Sequence, residues 1–302
     1  MRSAVWAALG DLYATYQSTL GYIGINALLA LSVYTTLACG QLALGNAGFM
    51  ALGAYAAALA TVRAGLPFPL ALTAAAALPA AVAVPLGLPV LRLRGVFLAI
   101  ATIGFGEIVR LAIVNWDYAG GAQGIVAIPQ KASLALIALC LAAALFVLGR
   151  LRGSKWGFAL EAIREDEPAA RTMGIPTAAY KLAMLALGAA LAGLAGGLEA
   201  HFTFMVAPNG FSFERVVDML VYAVVGGART FWGPAVGAAF LTVLPEFLRE
   251  VSPLLGLEPG PTRLMINGLI LLLVILFLPN GLVSLPARLR ARLARARAVR
   301  AS

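Results

Sequence analysis

Charge is scarce in this chain. Only 12% of its 302 residues are Asp, Glu, Lys or Arg, against about 25% in soluble domains. Apolar residues make up 62% and the mean hydropathy is +0.92, which excludes an ordinary soluble domain and indicates an integral membrane protein. Histidine occurs once, at His201, and cysteine twice, at Cys39 and Cys140, both in apolar runs. That excludes a disulfide framework and leaves too few ligands for a zinc site. Each of the three lysines, Lys131, Lys155 and Lys181, follows a non-glycine: Gln130, Ser154 and Tyr180. A P-loop needs Gly-Lys-Ser/Thr to hold phosphates on backbone amides and the lysine, so ATP, if used, is bound by another subunit. No paired carboxylates and no nucleophile beside a base stand out. No catalytic residue, cofactor site or metal site is expected, and the chain reads as a non-enzyme. Residues Met1 to Asp11 are too short and too weakly apolar for a signal peptide.

What is present is arranged in apolar runs. Nine are marked, at about 20–39, 42–62, 67–91, 95–115, 132–149, 180–200, 214–228, 231–249 and 262–279. A hydrocarbon core about 30 Å thick needs roughly 20 apolar residues per helix, and lipid-exposed backbone must satisfy its own hydrogen bonds. The expected fold is all-α, a polytopic transmembrane bundle of about nine spans in a single domain, residues 1–302. Pro79, Pro85 and Pro89 are expected to kink the third span. The glycine-rich second segment and the 214–249 region are expected to be broken or re-entrant.

The formal charge of +9 reports topology rather than nucleic-acid binding. With the 150–181 loop and the tail in the cytoplasm, that side holds Arg92, Arg94, Arg150, Arg152, Lys155, Arg164, Arg171, Lys181, Arg229 and six tail arginines, Arg288 to Arg300. The outer side holds only Arg2, Arg63, Lys131, Arg215, Arg249 and Arg263. Basic residues are retained inside, so the N-terminus is expected outside. The basic tail, residues 286–302, reads as a topology anchor near anionic lipid or as a docking site.

A polar island interrupts the hydrocarbon at residues 152–178. Phe158 to Arg164 are good helix formers. Asp166-Glu167-Pro168 is a helix start, and Gly174 with Pro176 is a stop. Ile163, Ala170 and Met173 offer an apolar patch, rimmed by Arg164, Glu165 and Arg171. A bare linker needs neither caps nor such a patch, so a soluble partner docking here is favoured over a solvated connection.

The segment from Ala162 to Ile175 (AIREDEPAARTMGI) resembles the coupling loop of permease subunits of bacterial branched-chain amino acid ABC transporters. Other segments agree in order. They are Gly40 to Phe49 (GQLALGNAGF) with Gly53-Ala-Tyr55, Leu91 to Gly95 (LRLRG), Thr102 to Arg110 (TIGFGEIVR), Gly120 to Ile125 (GGAQGI), Val225 to Pro234 (VGGARTFWGP), Gly237 to Ala239 and Leu278 to Leu282 (LPNGL). The match covers about residues 30–285. It departs before Asp11, where the family's usual first apolar helix is missing or degraded, and at Arg229-Thr-Phe, which replaces a more glycine-like stretch. The resemblance implies a bacterial inner-membrane protein. It also implies a second permease subunit sharing the pore, two ATPase subunits on the cytoplasmic loops that use ATP, and a periplasmic substrate-binding protein. It makes Glu161, Ile163, Arg164, Glu165, Asp166, Ala170, Met173 and Gly174 the candidate ATPase-coupling residues. An ion-coupled secondary carrier, or a permease of the same superfamily for urea, amides or sugars, are the alternatives.

Charge within the membrane is costly and marks function by default. Glu107 and Arg110, three residues apart on one helix face, form either a structural pair or part of a gate. Asp218 is either a pathway residue or faces Arg215. Asn46 is a pathway candidate on a segment whose small residues chiefly allow close packing. Glu199 and His201 are expected to reach interfacial water, and Glu246 to pair with Arg249. Trp116, Trp156 and Trp232 fit interface anchors.

Overall fold

The computed structural model describes residues 2–251, 268, 272, 276 and 281–284. The ninth apolar run, the basic tail, the pairing of Glu246 with Arg249 and most of the Leu278 to Leu282 motif lie outside the described residues. Up to Val251 the described residues form ten α-helices in order: α1 (Arg2–Leu37), α2 (Asn46–Val62), α3 (Phe68–Val90), α4 (Val96–Val114), α5 (Leu134–Arg152), α6 (Lys155–Glu165), α7 (Glu167–Thr172), α8 (Thr177–Thr203), α9 (Phe213–Gly226) and α10 (Gly233–Val251). Short 3-10 turns sit at Asp117–Ala119, Gly121–Gln123, Pro208–Phe211 and Leu282–Ser284. Among the described residues there is one isolated bridge, Ile125 with Val206, and no strand. The chain is an all-α polytopic membrane protein.

Among the described residues, five helices are long and apolar enough to cross a membrane: Tyr16–Leu37 within α1, then α3, α4, α5 and α8. Helix α2 and the Gly233–Phe247 part of α10 are shorter apolar helices. Helix α9, with 14 residues, reaches about 21 Å at 1.5 Å per residue, less than the hydrocarbon thickness. The second run and the 214–249 region, expected to be broken or re-entrant, are thus the ones that hold the shorter helices. Residues 41–45 are irregular and buried or half-buried before α2 begins at Asn46. The 214–249 region is a helical pair, α9 and α10, packed on each other across a turn. Helix α3 runs unbroken through Pro79, Pro85 and Pro89.

Helix α1 is the hub. Of its span, 78% is buried, against 17% for α5, and it packs on α5, α8, α9 and α10. Ile25, Leu28, Leu29, Leu31 and Val33 on it are almost wholly covered. A second unit, α2 with α3 and α8, packs more closely still. There an added Cβ at Gly53 would stand 2.3 Å from the Cα and carbonyl oxygen of Gly193. The two backbones touch, as small residues permit in helix pairs that lack a hydrophobic drive in lipid.

Contacts between ends give the helices alternating directions. The end of α1 meets the 152–178 loop: a Cβ added to Gly40, at φ +72°, would lie 3.4 Å from the Cα of Arg164. The turn after α9 meets the end of α5, where the Arg152 guanidinium donates to the Arg229 carbonyl. At the opposite face Arg63 stacks 5.3 Å over the Tyr118 ring. There too the Ile125 and Val206 backbones exchange hydrogen bonds of 2.9 Å. Arg152, Arg164 and Arg229, grouped by the charge rule, thus share one face.

Candidate functional site

The polar loop folds as the local signals dictate. The Ser154 hydroxyl accepts from the Trp156 amide at 3.2 Å and opens α6. Asp166 accepts from the Ala169 amide at 3.0 Å and opens α7, with Pro168 in its first turn, where a missing donor costs nothing. Gly174 at φ +82° ends it, a conformation that glycine adopts without strain.

One face of this pair packs inward. Ala159, Leu160 and Ile163 of α6 and Ala170 of α7 are buried, Leu160 against Cys39 and Met184. The Trp156 ring packs on Tyr180, centroids 4.5 Å apart. This corrects the apolar patch expected for a partner. Ile163 and Ala170 serve the chain's own core, and only Met173, 81% exposed, remains outside. The physical reason is that α6 and α7 must cover the ends of the spans they join. Glu161, Arg164, Glu165, Asp166 and Gly174 stay on the exposed side. That leaves a largely charged surface with Phe158, Trp156 and Met173 as its exposed apolar side chains.

The residue that pins the loop was not among the sequence candidates. Glu167 receives Arg171 Nη2 at 2.6 Å, Lys181 Nζ at 2.6 Å and the Thr177 hydroxyl at 3.3 Å. Its pairing with Lys181 ties α7 to α8. Burial by itself raises the carboxyl pKa. The hydrogen bonds and charges of Lys181 and Arg171 outweigh that and hold it below the ordinary glutamate value. The i, i+4 spacing from Glu167 to Arg171 was a visible signal; the contact with Lys181, fourteen residues on, was not.

The intramembrane candidates are not brought together. Glu107 and Arg110 pair with each other at 2.8 Å, both partly exposed. Asn46 donates to the Ser32 hydroxyl at 2.7 Å, wholly inside the protein. Asp218 is exposed and makes no hydrogen bond or ion pair among the described residues. Arg215 turns instead to Glu199 on α8, at 2.7 Å. His201 corrects its expected place at interfacial water. It is fully buried, held by the Gly197 carbonyl at 2.9 Å and the Thr61 hydroxyl at 3.1 Å. Among the described residues no three His, Cys, Asp or Glu side chains converge as metal ligands would.

The self-contained geometry of Glu107 and Arg110 predicts a structural role. Either single alanine leaves a charge without its partner and lowers the thermal stability of the purified protein. The double alanine recovers most of that loss, with a coupling of about 0.5–3 kcal/mol in a double-mutant cycle. Additive losses refute the pairing role.

Residues 15–275 match the family model described as branched-chain amino acid transport system / permease component. The chain is 35% identical to the high-affinity branched-chain amino acid transport system permease protein LivM of Salmonella typhimurium and to that of Escherichia coli. In each case the match covers 86% of this chain and 66% of the relative. A probable branched-chain amino acid transport permease protein LivM of Methanocaldococcus jannaschii is 25% identical over 44% of this chain and 41% of its own length. The chain thus spans just under two thirds of the length of the two bacterial relatives. No solved structure matches it.

Proposed function

Because the chain belongs to the branched-chain amino acid transport permease family, we propose that it is the membrane-spanning subunit of an ATP-driven importer for branched-chain or related amino acids. It sits in the bacterial inner membrane with its tail in the cytoplasm. It shares a pathway with a second permease subunit and takes substrate from a periplasmic binding protein. Two ATPase subunits bind and hydrolyse the ATP.

The observation that carries this reading is the capped pair α6 and α7. It is fastened to α8 through Glu167 and Lys181 and presents Glu161, Arg164, Glu165 and Met173 outward. A loop held this rigidly passes force from a docked partner into the spans. A freely moving linker does not. The rival, an ion-coupled carrier, would draw on Glu107, which already pairs with Arg110, and on Asp218.

Reconstitution separates the two. Leucine uptake by the chain with its second permease, ATPases and binding protein is expected to require ATP inside the vesicle. It is expected to vanish when ATP is replaced by a proton or sodium gradient. Gradient-driven uptake by this chain without ATPases overturns the proposal.

A further inference from the structure

At the cytoplasmic end of the bundle a cavity of about 180 Å³ opens between α1, α5, α6, α8 and the turn after α9. Three guanidinium groups line it, those of Arg152, Arg164 and Arg229, with a single carboxylate, Glu161. None of the three arginines forms an ion pair among the described residues. Arg152 is held in place all the same. It donates to the Arg229 carbonyl, and Tyr34, 7% exposed, shares the cavity wall with it. Like charges fixed around one hollow repel each other, and an anion with several acceptor oxygens relieves that repulsion while matching the planar guanidinium forks. A cavity needs only about 10–15 Å³ of such space to hold one water, so the hollow is roomy enough for a phosphate group.

We propose that this cavity binds the phosphate of an acidic phospholipid from the inner leaflet. Two observations favour lipid over a soluble anion. The cavity wall is partly hydrocarbon, with Leu148 and Met184 from membrane spans. In addition, Phe158 lines the cavity with a ring that is 71% exposed, an apolar surface against which the start of an acyl chain can lie while its headgroup meets the arginines. Basic pockets between spans on the cytoplasmic side are suited to lipid headgroups in this way. Because α6 forms one wall, the bound lipid braces the start of the loop.

The test uses the full-length chain, purified in neutral detergent and placed in phosphatidylcholine nanodiscs with or without phosphatidylglycerol. Native mass spectrometry reads retained lipid, and a thermal melt reads stabilisation. Phosphatidylglycerol is expected to be retained roughly tenfold better by the natural protein than by the Arg152→Gln, Arg229→Gln double variant, and to raise the melting temperature only of the former. The Arg152→Lys, Arg229→Lys variant keeps both charges and is expected to keep most of the retention, which shows that the site survives side-chain change. The basic tail is intact throughout, so lipid held by the tail alone gives equal retention in all variants and overturns the proposal. Stabilisation reproduced by inorganic phosphate without acidic lipid overturns it as well, in favour of a free-anion site.

Discussion

Gly53→Val is expected to abolish assembly of the bundle. The new side chain would begin 2.3 Å from the Gly193 backbone, and neither partner is the movable end of a flexible side chain. Helices α2 and α8 must separate, and the α3 contacts of α8 open with them. Overpacking a well-filled core costs about 1–3 kcal/mol, occasionally more, and a backbone clash belongs at the upper end or beyond. The checks are the yield of detergent-stable protein and its melting temperature. Gly104→Ala is the control, because a Cβ there meets nothing within 4 Å, and it is expected to leave both unchanged. A Gly53→Val protein that purifies and melts like the natural one refutes the close α2–α8 packing.

Glu167→Ala is expected to sever ATP hydrolysis from uptake while the spans still insert. The substitution leaves Lys181, 13% exposed, and Arg171, 52% exposed, without their shared carboxylate. Removing one member of a fully buried pair costs 3–5 kcal/mol. With one partner half in water the loss is about 2 kcal/mol, enough to free α7 from α8. Acid is expected to act on the natural protein in the same direction. The folded pKa of Glu167 lies below its ordinary 4.5, so the stabilisation is present above the unfolded value and is lost as pH falls through the lower, folded value. The loop of the natural protein therefore stays protease-resistant through the ordinary glutamate range and opens only below it. The Glu167→Ala loop is expected to be cleaved already at neutral pH. Equal cleavage of both at neutral pH counts against the clamp.

The loop was the most legible part of the chain, because its instructions are local. Asp166, Pro168 and Gly174 act within three or four residues of themselves, and α7 begins and ends where those residues place it, whereas α6 starts at Lys155, ahead of the Phe158 to Arg164 stretch of helix formers, under a Ser154 cap that was not read. The pair Glu107 and Arg110 was legible for the same reason. Periodicity showed that Ile163 and Ala170 share an apolar character, but it carries no information on what covers them, and the covering turned out to be the chain itself. His201 was misplaced because its partner Thr61 stands 140 residues away. Arg215 was offered Asp218 one turn along, yet it reaches Glu199 across a helix interface. Where an apolar run is interrupted is set by packing as well. Hydropathy marks apolar runs, whereas the irregular segment 41–45 and the turn at 227–232 interrupt them.

Gly40 gives the molecule a mechanical stop. At φ +72° it turns the chain after α1 alongside the backbone of Arg164 in α6, about a methyl group away, since an added Cβ would stand 3.4 Å from the Arg164 Cα. With so narrow a gap, α6 has little travel before it meets that turn. Just beyond, the Leu44 amide donates to the Thr102 hydroxyl of α4 at 2.8 Å, and Asn46 holds Ser32 of α1. Any push that drives α6 toward the membrane is therefore delivered at once to the starts of α2 and α4, with α1 as the fixed post against which they turn.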